Sequence, residues 1–314
     1  MRSERGFVLV SVMLAMALLA LVVTEFVFSM RLEASMARAY RDHILAEHLA
    51  ESGVQQAVRE ILSQAQIVAA GEGGQLVFYR APSGQAQPQR LPALPRTRVA
   101  LGRGEFSYRI TDEAARLNIN ASSPVWVDRL LAALGVDRGQ RDIINDSLQD
   151  WRDRDELRRL NGAESEDTYL RLPLPYRARN GNLQDVSELR QIRGVSAELF
   201  TGTAERPGLG ELVTAISGGG VNLNTAAAPV LTALGLSDAE VSDVLSTRSR
   251  APYLIVPGRF ANRGLVVESA TFRIEAEGVV PGSPPSRIVA VVQRGGRAGA
   301  SGLTVRSWRP VTEP

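Results

Sequence analysis

The residue types that could do chemistry are concentrated in one short acidic segment. Asp150, Asp153 and Asp155 follow one another closely, and further carboxylates stand about ten residues later at Glu164 and Asp167. Carboxylates that converge in this way suit a hard cation, because calcium takes ~6–8 oxygen ligands from carboxylates, carbonyls and water. The spacing is not that of an EF-hand loop, which would have Gly at its sixth position and Glu at its twelfth.

The same segment supports a second interpretation, because arginines alternate with the carboxylates. These arginines are Arg152, Arg154, Arg158 and Arg159. Spacing alone favours ion pairing on a solvated helix over metal binding, and it leaves both open. Nothing in the sequence fixes the separation of a carboxylate pair such as Asp153 and Glu164 or raises one of their pKa values, so we expect no catalytic activity. We expect Trp151 to pack between helices.

The composition excludes several kinds of active site. The 314 residues contain no Cys and only two His, His43 and His48, both near the N-terminus. Disulfides, thiolate metal sites and Cys nucleophiles are therefore ruled out. A His-based zinc site or a Ser-His-Asp triad would have no histidine available in the body of the chain. The formal net charge of +2 is too small to indicate nucleic acid as a partner.

The N-terminus predicts a membrane helix that stays on the protein. Residues 7–24 carry no charge and no Pro, which is just enough to cross the hydrocarbon core as a helix. Arg2 and Arg5 precede this run and favour a cytoplasmic N-terminus. A secretory signal would place its small-residue cleavage site after the apolar part, whereas the close match, Ala15-Met16-Ala17, lies inside it.

The helical pattern continues beyond the apolar run. Residues 31–66 contain no Pro, and apolar side chains recur there at helical spacing. We therefore predict one helix over residues 7–66, with residues 7–28 in the membrane and the second half against a soluble domain. At ~1.5 Å per residue this helix would be about 90 Å long, far more than a bilayer.

The first residues resemble the leader of a type IV pilin-like protein. A short basic segment ends in Gly6, and the apolar run begins at Phe7. The resemblance implies that a prepilin peptidase removes residues 1–6 as a leader and methylates the amine of Phe7. Pilin-like proteins usually carry Glu at the fifth mature position, which is Ser11 here. A carboxylate at that depth is costly unless it is paired, and the subunit that typically lacks it is the K pseudopilin of type II secretion, which has no neighbour above it.

The remaining pattern predicts an α+β protein. Alternating strand patterns occur at 75–80, 105–111, 270–277, 287–293 and 303–309, whereas residues 112–250 turn helical. This order predicts a pilin-like fold in which the long helix packs on an antiparallel sheet and a large all-α domain, residues 112–250, is inserted between strands. The β domain would comprise residues 67–111 and 264–314. Residues 251–263 would connect the two, and the Pro-rich loop 82–95 would be exposed.

A weak internal repeat lies within the helical region. Asn118-Ile-Asn120 and Asn222-Leu-Asn224 each precede a predicted helix, and Leu-Gly ends each helix at Gly135 and Gly235. Asn and Ser or Thr side chains can cap a helix start, and Gly suits the left-handed position after a helix end. We therefore expect these motifs to be structural.

Two hairpins in this region also resemble helix-hairpin-helix segments of DNA-uptake proteins. Those segments hold a phosphate with a Gly-x-Gly turn. Here Ser196 follows Gly194 and Ser237 follows Gly235 where the second Gly would stand. DNA binding therefore remains only an alternative.

The acidic segment and the residues after it resemble the helical insertion of the K pseudopilins of type II secretion systems. The matching motifs are Asp150-Trp151-Arg152-Asp153-Arg154-Asp155, Gly162-Ala163-Glu164, Tyr169, Ser187-Glu188-Leu189-Arg190 and Gly194-Val195. That family binds calcium in this region. The resemblance implies a structural calcium ion with Asp150, Asp153, Asp155 and Glu164 as ligands. Asp167 is a further candidate, because Ser165 stands where the family commonly has an acidic residue.

The resemblance also implies a function. The chain would be a non-catalytic minor pseudopilin at the tip of the type II secretion pseudopilus, helping to initiate its assembly and the export of folded proteins across the outer membrane. It would cross the inner membrane once, with its N-terminus cytoplasmic and its C-terminal domain periplasmic. Its partners would be the I and J minor pseudopilins, the major pseudopilin and the prepilin peptidase, with no nucleic acid. A minor pilin of a type IV pilus and a DNA-binding envelope protein are the alternatives.

Overall fold

The structure is a computed structural model that describes residues 4–63, 67–71, 74–80, 87–295 and 302–311. Three predictions fall partly outside the described residues: the start of the leader (1–3), the predicted end of the long helix (64–66) and part of the Pro-rich loop (82–86). In chain order the helices are α1 (Glu4–Leu62), α2 (Pro124–Ala133), α3 (Arg138–Arg152), α4 (Ala197–Thr201), α5 (Leu209–Leu212), α6 (Ala228–Ala233) and α7 (Asp238–Arg248). The strands are β1 (Ile67–Ala70), β2 (Leu76–Arg80), β3 (Gln89–Arg90), β4 (Val99–Leu101), β5 (Gly104–Asp112), β6 (Leu117–Asn118), β7 (Val213–Thr214), β8 (Val221–Asn222), β9 (Leu265–Val266), β10 (Thr271–Val279), β11 (Ser286–Arg294) and β12 (Leu303–Val311). The α+β class is confirmed.

Helix α1 meets two different environments along its length. Its first half, from Phe7, is apolar enough to cross a membrane and is exposed throughout. Its second half buries a helical stripe. The buried residues of this stripe are Ala46, Leu49, Ala50, Val54, Ala57 and Ile61. The helix ends at Leu62, and β1 begins at Ile67.

The stripe of α1 packs on a five-stranded antiparallel sheet with the order β12-β11-β10-β5-β4. Side chains alternate along the long strands, so every second residue faces α1. The buried residues on this face include Tyr108, Ile110, Phe272, Ile274, Ile288 and Ala290. A smaller sheet, β1-β2-β3, extends the same core. The alternating patterns predicted β5, β10 and β11 as strands, and each of them buries one face against α1, whereas β12 is largely exposed.

The second half of the chain leaves this sheet and returns to it. Strands β5 and β10 are neighbours paired from Phe272 opposite Asp112 to Val279 opposite Glu105, although residues 113–270 separate them in sequence. The intervening residues form a second hydrophobic core with α2 to α7. We call residues 113–270 the insertion.

The insertion is less helical and longer than the sequence pattern indicated. Residues 153–196 contain only short 3-10 turns between irregular segments, where helix was predicted. Pro173 and Pro175 lie in this stretch, and Pro cannot donate a helical hydrogen bond. The β domain was predicted to resume at 264, but β9 pairs in parallel with β8 of the insertion. The backbone of residues 265–266 is therefore tied to the insertion.

The insertion begins at the end of α1 that is farther from the apolar half. An added Cβ at Gly104, the start of β5, would contact Leu49 of α1. Further along β5, Tyr108 donates a hydrogen bond of 3.1 Å to Glu60, close to the end of α1. Strand β5 thus runs toward the C-terminal end of α1, and the insertion starts beyond it.

Two consecutive acidic residues fix the insertion to the sheet. Buried Asp112 accepts hydrogen bonds from Asn222 (2.9 Å), Thr225 (2.6 Å) and Ser269 (2.5 Å). Burial raises the pKa of Asp112, and these hydrogen bonds act in the opposite direction. The next residue, buried Glu113, has its own set of partners: Arg116, Arg273 and Thr214. Each carboxylate therefore joins the sheet to two or more segments of the insertion.

The contact between α1 and the sheet depends on a close approach at Gly278. A Cβ at this position would overlap the carbonyl oxygen of Ala46 and the backbone nitrogen of Ala50. We expect Gly278→Ala to lower the free energy of unfolding by about 1–3 kcal/mol, because neither backbone atom can move aside easily. Gly258→Ala is the matched control, since nothing lies within 4 Å of its added Cβ. Equal denaturation midpoints for the two variants would contradict this packing.

Candidate functional site

The predicted site residues lie at and beyond the C-terminal end of α3. Asp137 caps the start of this helix by accepting a hydrogen bond of 3.1 Å from the backbone of Gln140. Asp150 lies in the last turn and is fully buried, and Asp153 is the residue at which the helix ends. The helix therefore fixes the first two carboxylates, and an irregular segment carries the others.

Asp150 is held by protein groups. Its carboxylate accepts hydrogen bonds from the backbone of Arg159 (3.2 Å) and from the guanidinium of the same residue (3.2 Å). A Cβ on Gly162 would overlap its Oδ2, so only glycine allows the backbone this close. Burial raises the pKa of Asp150, and the contacts with Arg159 lower it. Asp150 is thus already paired with Arg159, as the ion-pair interpretation predicted.

Three carboxylates converge beside this pair. Asp153, Asp155 and Glu164 offer oxygen atoms that all lie within 4.8 Å of one another. Glu164 is buried, Asp153 is half-buried and Asp155 is exposed, so the cluster opens to solvent on one side. We call these three residues the carboxylate cluster. It has the oxygen donors and the open side that a hard cation such as calcium requires.

The carboxylate cluster is electrostatically unsatisfied. Both carboxylate oxygens of Glu164 and the Oδ1 atom of Asp153 are buried and have no hydrogen-bond partner among the described residues. Burial, together with the negative charges of Asp150, Glu156, Asp153 and Asp155, raises the pKa of Glu164 to about 7. An arginine contacts the cluster, since Arg159 donates to Oδ2 of Asp153 at 2.9 Å. The arrangement fits a bound divalent cation, because such a cation would supply both the missing charge and the missing partners.

Asp167 points away from the carboxylate cluster. Its Oδ1 accepts hydrogen bonds from the backbone of Glu164 (3.1 Å) and from the Thr168 hydroxyl (2.7 Å), and its Oδ2 pairs with Arg158 at 3.0 Å. Burial acts to raise the pKa of Asp167, but these contacts leave it below its ordinary value. Asp167 therefore orients the turn that carries Glu164, and the structure does not place it with the three converging carboxylates.

Sequence reasoning missed Asn180 and Glu156. The Asn180 amide donates to the Glu156 carboxylate at 3.2 Å, while its own Oδ1 is buried and unpaired among the residues described. Asn180 has a φ of +50°, in the left-handed region that Asn tolerates better than most residues. The Asn180-Gly181 pair is a turn signal that could have drawn attention to this position.

An aromatic cluster supports the irregular segment. Trp151 is buried, as predicted, and meets Tyr169 edge-on with ring centroids 5.3 Å apart. Tyr169 and Tyr176 stack at 5.1 Å. These contacts bring residues of α3 and of the segment after Glu164 into one core, and so they set the path of the chain around the carboxylate cluster.

The internal repeat is structural, as expected. Asn120 pairs with both backbone polar groups of Leu183, and Asn224 pairs in the same way with Tyr253. The glycines that end α2 and α6, Gly135 and Gly235, have φ values of +77° and +86°. Each repeat therefore ties its turn to a distant segment of the insertion.

The two hairpins that resemble helix-hairpin-helix segments use serine where a second glycine would stand. Ser196 and Ser237 each accept a hydrogen bond from a first-turn backbone amide of the following helix, from Leu199 (3.0 Å) and Glu240 (3.4 Å). The serine hydroxyls thus already accept hydrogen bonds from backbone N–H groups that would otherwise be available to a phosphate.

The three N-terminal site residues all lie in the first turns of α1. Gly6 and Phe7 are both within the helix, which begins at Glu4. Ser11 donates a hydrogen bond of 2.8 Å to the carbonyl oxygen of Phe7. Its hydroxyl is therefore satisfied within the helix and needs no partner from another chain.

Residues 109–204, which contain the carboxylate cluster, match the family model for the type II secretion system (T2SS), protein K. The type II secretion system protein K of Pectobacterium carotovorum is 30% identical over 177 residues, which is 50% of this chain and 52% of that protein. The protein K of Klebsiella pneumoniae is 35% identical over 116 residues, which is 33% of this chain and 35% of that protein. The chain thus spans about half the length, or less, of these two relatives.

A solved structure has the same fold. It is a chain from the crystal structure of the GspK-GspI-GspJ complex of the type 2 secretion system of enterotoxigenic Escherichia coli. The TM-score is 0.63 with 20% identity, and the match covers 88% of this chain and 100% of that chain. At this identity the likeness concerns the fold alone.

Glu164 makes the cation-free protein sensitive to pH. Its pKa is about 7 in the folded protein against an ordinary 4.5, so the folded state favours the protonated acid. The stability that the protonated Glu164 side chain contributes to the folded state is fully present below pH 4.5. It is lost as the pH rises from 4.5 through 7. In chelator, Glu164→Gln should therefore be more stable than the native chain at pH 8, by about 1–3 kcal/mol, and similar to it at pH 4.

Urea denaturation at both pH values measures this difference. Glu166→Gln is the matched control, because Glu166 is exposed and lies outside the carboxylate cluster. Parallel stability curves for the native chain and Glu164→Gln would contradict the burial of an uncompensated carboxylate.

Proposed function

We propose that this chain, which is a member of the type II secretion protein K family, is a non-catalytic minor pseudopilin at the tip of the pseudopilus. There it would form a complex with the I and J minor pseudopilins, as the protein in the matching crystal structure does with its own GspI and GspJ. It would help to start fibre assembly on the major pseudopilin and the export of folded proteins across the outer membrane.

The observation that carries this proposal is the position of the insertion. A pilin-like fibre stacks its subunits along their long helices, with the apolar halves toward the membrane. In this chain the insertion starts beyond the far end of α1, on the side where a further subunit would have to sit. A bulky unit in that position is compatible with the end of a fibre and obstructs continuation above it.

Ser11 supports the same position. A hydroxyl that bonds to its own helix can lie in hydrocarbon without a partner. An ionised Glu would need the amine of a subunit above, and the last subunit of a fibre has none. The neutral residue therefore suits the tip.

Processing and location belong to the same proposal. A prepilin peptidase would cut between Gly6 and Phe7 and methylate the new amine, leaving the apolar half of α1 on the protein. Arg2 and Arg5 favour a cytoplasmic N-terminus, so one inner-membrane span would put the insertion in the periplasm.

The carboxylate cluster would hold a structural calcium ion. Asp153, Asp155 and Glu164 would supply oxygen ligands, since their carboxylate oxygens lie within 4.8 Å of one another. Calcium supplies positive charge and coordination to carboxylates that otherwise repel one another. The protein's own part is to hold the irregular segment in place, through Asp150 with Arg159 and through Asp167 with Arg158.

Purification from host membranes tests the proposed role. Tagged full-length protein should bring the I and J pseudopilins with it, and its deletion should abolish export of a folded exoprotein. Ser11→Glu should reduce export in complemented cells, because an unpaired carboxylate inside the apolar run is unfavourable in lipid, whereas Ser11→Ala should not. Copurification of type IV pilus proteins in place of the I and J subunits would refute the assignment.

Thermal melting tests the calcium site. Calcium should raise the Tm of the native chain by the equivalent of about 3–4 kcal/mol at saturating concentration, and EGTA should reverse the rise. Asp153→Asn should lose the rise, because its carboxylate belongs to the cluster. Asp167→Asn is the matched control and should keep it, even if its starting Tm is lower. An equal calcium response in Asp153→Asn and the native chain would exclude Asp153 as a ligand.

A further inference from the structure

One arginine side chain bridges a buried carboxylate and the carboxylate cluster. The Nη1 atom of Arg159 donates hydrogen bonds to Oδ1 of Asp150 (3.2 Å) and to Oδ2 of Asp153 (2.9 Å). Asp150 is fully buried and lies outside the cluster, whereas Asp153 is one of its three members. A single positive charge is therefore shared between a carboxylate that belongs to the core and one that a bound cation would use.

The backbone of Arg159 is fixed independently of its side chain. Its backbone N–H donates to both carboxylate oxygens of Asp150, at 3.4 and 3.2 Å, and its carbonyl oxygen accepts a hydrogen bond of 3.1 Å from Gly162. The Arg159 side chain is 39% exposed, so solvent reaches the guanidinium. The guanidinium can therefore leave Asp153 while the backbone keeps its place, and Asp150 would retain the backbone hydrogen bonds.

The guanidinium compensates only part of the carboxylate cluster. Glu164 is 1% exposed, and both of its carboxylate oxygens are unpaired among the described residues, as is Oδ1 of Asp153. Oxygens of all three carboxylates lie within 4.8 Å of one another. Three carboxylates thus face one arginine that also serves Asp150. The cluster retains unpaired oxygens for a divalent cation, and one of its carboxylates is already bound by a cation of the protein itself.

A divalent cation and Arg159 would compete for Asp153. Calcium lies ~2.3–2.6 Å from the carboxylate oxygens that bind it. The guanidinium nitrogen is 2.9 Å from Oδ2 of the same carboxylate. Two positive groups on one carboxylate repel each other, and this repulsion is screened less at a half-buried carboxylate than in open solvent. Because Arg159 is attached to the chain, it is present beside the cluster at every calcium concentration.

We propose that Arg159 is a built-in competitor of the divalent cation, which pairs with Asp153 in the cation-free protein and withdraws toward solvent when the cation binds. Arg159 stabilises the cation-free cluster and, for the same reason, weakens cation binding. The site would therefore fill at higher calcium concentrations than the three carboxylates alone would need. This inference rests on the proposed calcium site, because it concerns how tightly that site holds its ion.

The opposite role for Arg159 is that of a clamp, which would hold Asp150 and Asp153 in place and so strengthen calcium binding. The two roles predict changes of opposite sign when the guanidinium is removed. Calorimetric titration of calcium into the full chain, in nanodiscs and freed of calcium beforehand, measures that sign. Arg159→Gln should lower the calcium Kd by about tenfold or more, because it removes a unit positive charge beside the ion.

Thermal melting gives a second measurement of the same competition. In EGTA, Arg159→Gln should have a lower Tm than the native chain, because the cluster has lost its counter-ion. Saturating calcium should remove most of this difference, so the calcium-induced rise in Tm should be larger in Arg159→Gln than in the native chain. A variant that is merely destabilised would keep its lower Tm in calcium.

Arg158→Gln is the matched control, since the neighbouring arginine pairs with Asp167 at 3.0 Å, outside the carboxylate cluster. This control should bind calcium as the native chain does. Arg159→Lys keeps the charge but loses the planar fork that bridges two carboxylates, so its Kd should lie between those of the native chain and Arg159→Gln. If Arg159→Gln does not fold, Arg159→Lys decides, because a Kd no lower than the native value overturns the competition.

The remaining outcomes separate this inference from the proposal on which it rests. An unchanged or higher Kd in Arg159→Gln would overturn the competition, and calcium binding by the native chain would then leave the proposed site intact. An equal fall of the Kd in Arg158→Gln would also overturn it, because the effect would then belong to net charge. Absence of calcium binding in every chain would overturn both the site and the competition, whereas copurification of the I and J subunits tests the pseudopilin role separately.

Discussion

The fold depends on one junction, the point at which the chain leaves the sheet and later returns to it. Asp112 ends β5, and its buried carboxylate accepts hydrogen bonds from Asn222, Thr225 and Ser269, which come from two segments that converge there. A buried carboxylate without these donors would be strongly unfavourable, so the segments must meet in this arrangement for the protein to fold. The two cores are thereby joined, which allows the insertion to keep a fixed position at the end of α1.

The carboxylate cluster differs from this junction, because its negative charges are only partly compensated by neighbouring groups. Asp150 is paired with Arg159, whereas Glu164 is buried with both oxygens unpaired among the described residues. The ion-pair interpretation therefore holds for Asp150 with Arg159, whereas the metal site at the other carboxylates stays a prediction. An arginine stabilises the half that is attached to α3, and the other half has the chemistry of a site that an added cation completes. The stability of the irregular segment and the occupancy of the site are linked for this reason.

Helix α1 connects the two ends of the molecule. Its apolar half and its buried stripe are one continuous helix, so a segment apolar enough to cross a membrane and part of the sheet's core share one element. The close approach of Gly278 to Ala46 fixes where along α1 the sheet attaches. Since β5 then runs toward the far end of α1, the insertion lies away from the apolar half. The position of the insertion relative to that half thus follows from how α1 packs.

The sequence by itself determined the features that depend on local pattern. An uncharged run followed by a helical stripe indicated α1, two-residue alternation indicated the long strands, and Leu-Gly marked the ends of two helices at Gly135 and Gly235. The tertiary structure alone decided which carboxylates converge. Asp150, Asp153, Asp155, Glu164 and Asp167 are equivalent in residue type, yet only three of them share one site. The physical reason is that residues 153–181 have no regular period, so their path is set by distant contacts such as Trp151 against Tyr169. Those contacts direct Asp167 to Arg158 and bring Asn180, which no spacing pointed to, close to Glu156.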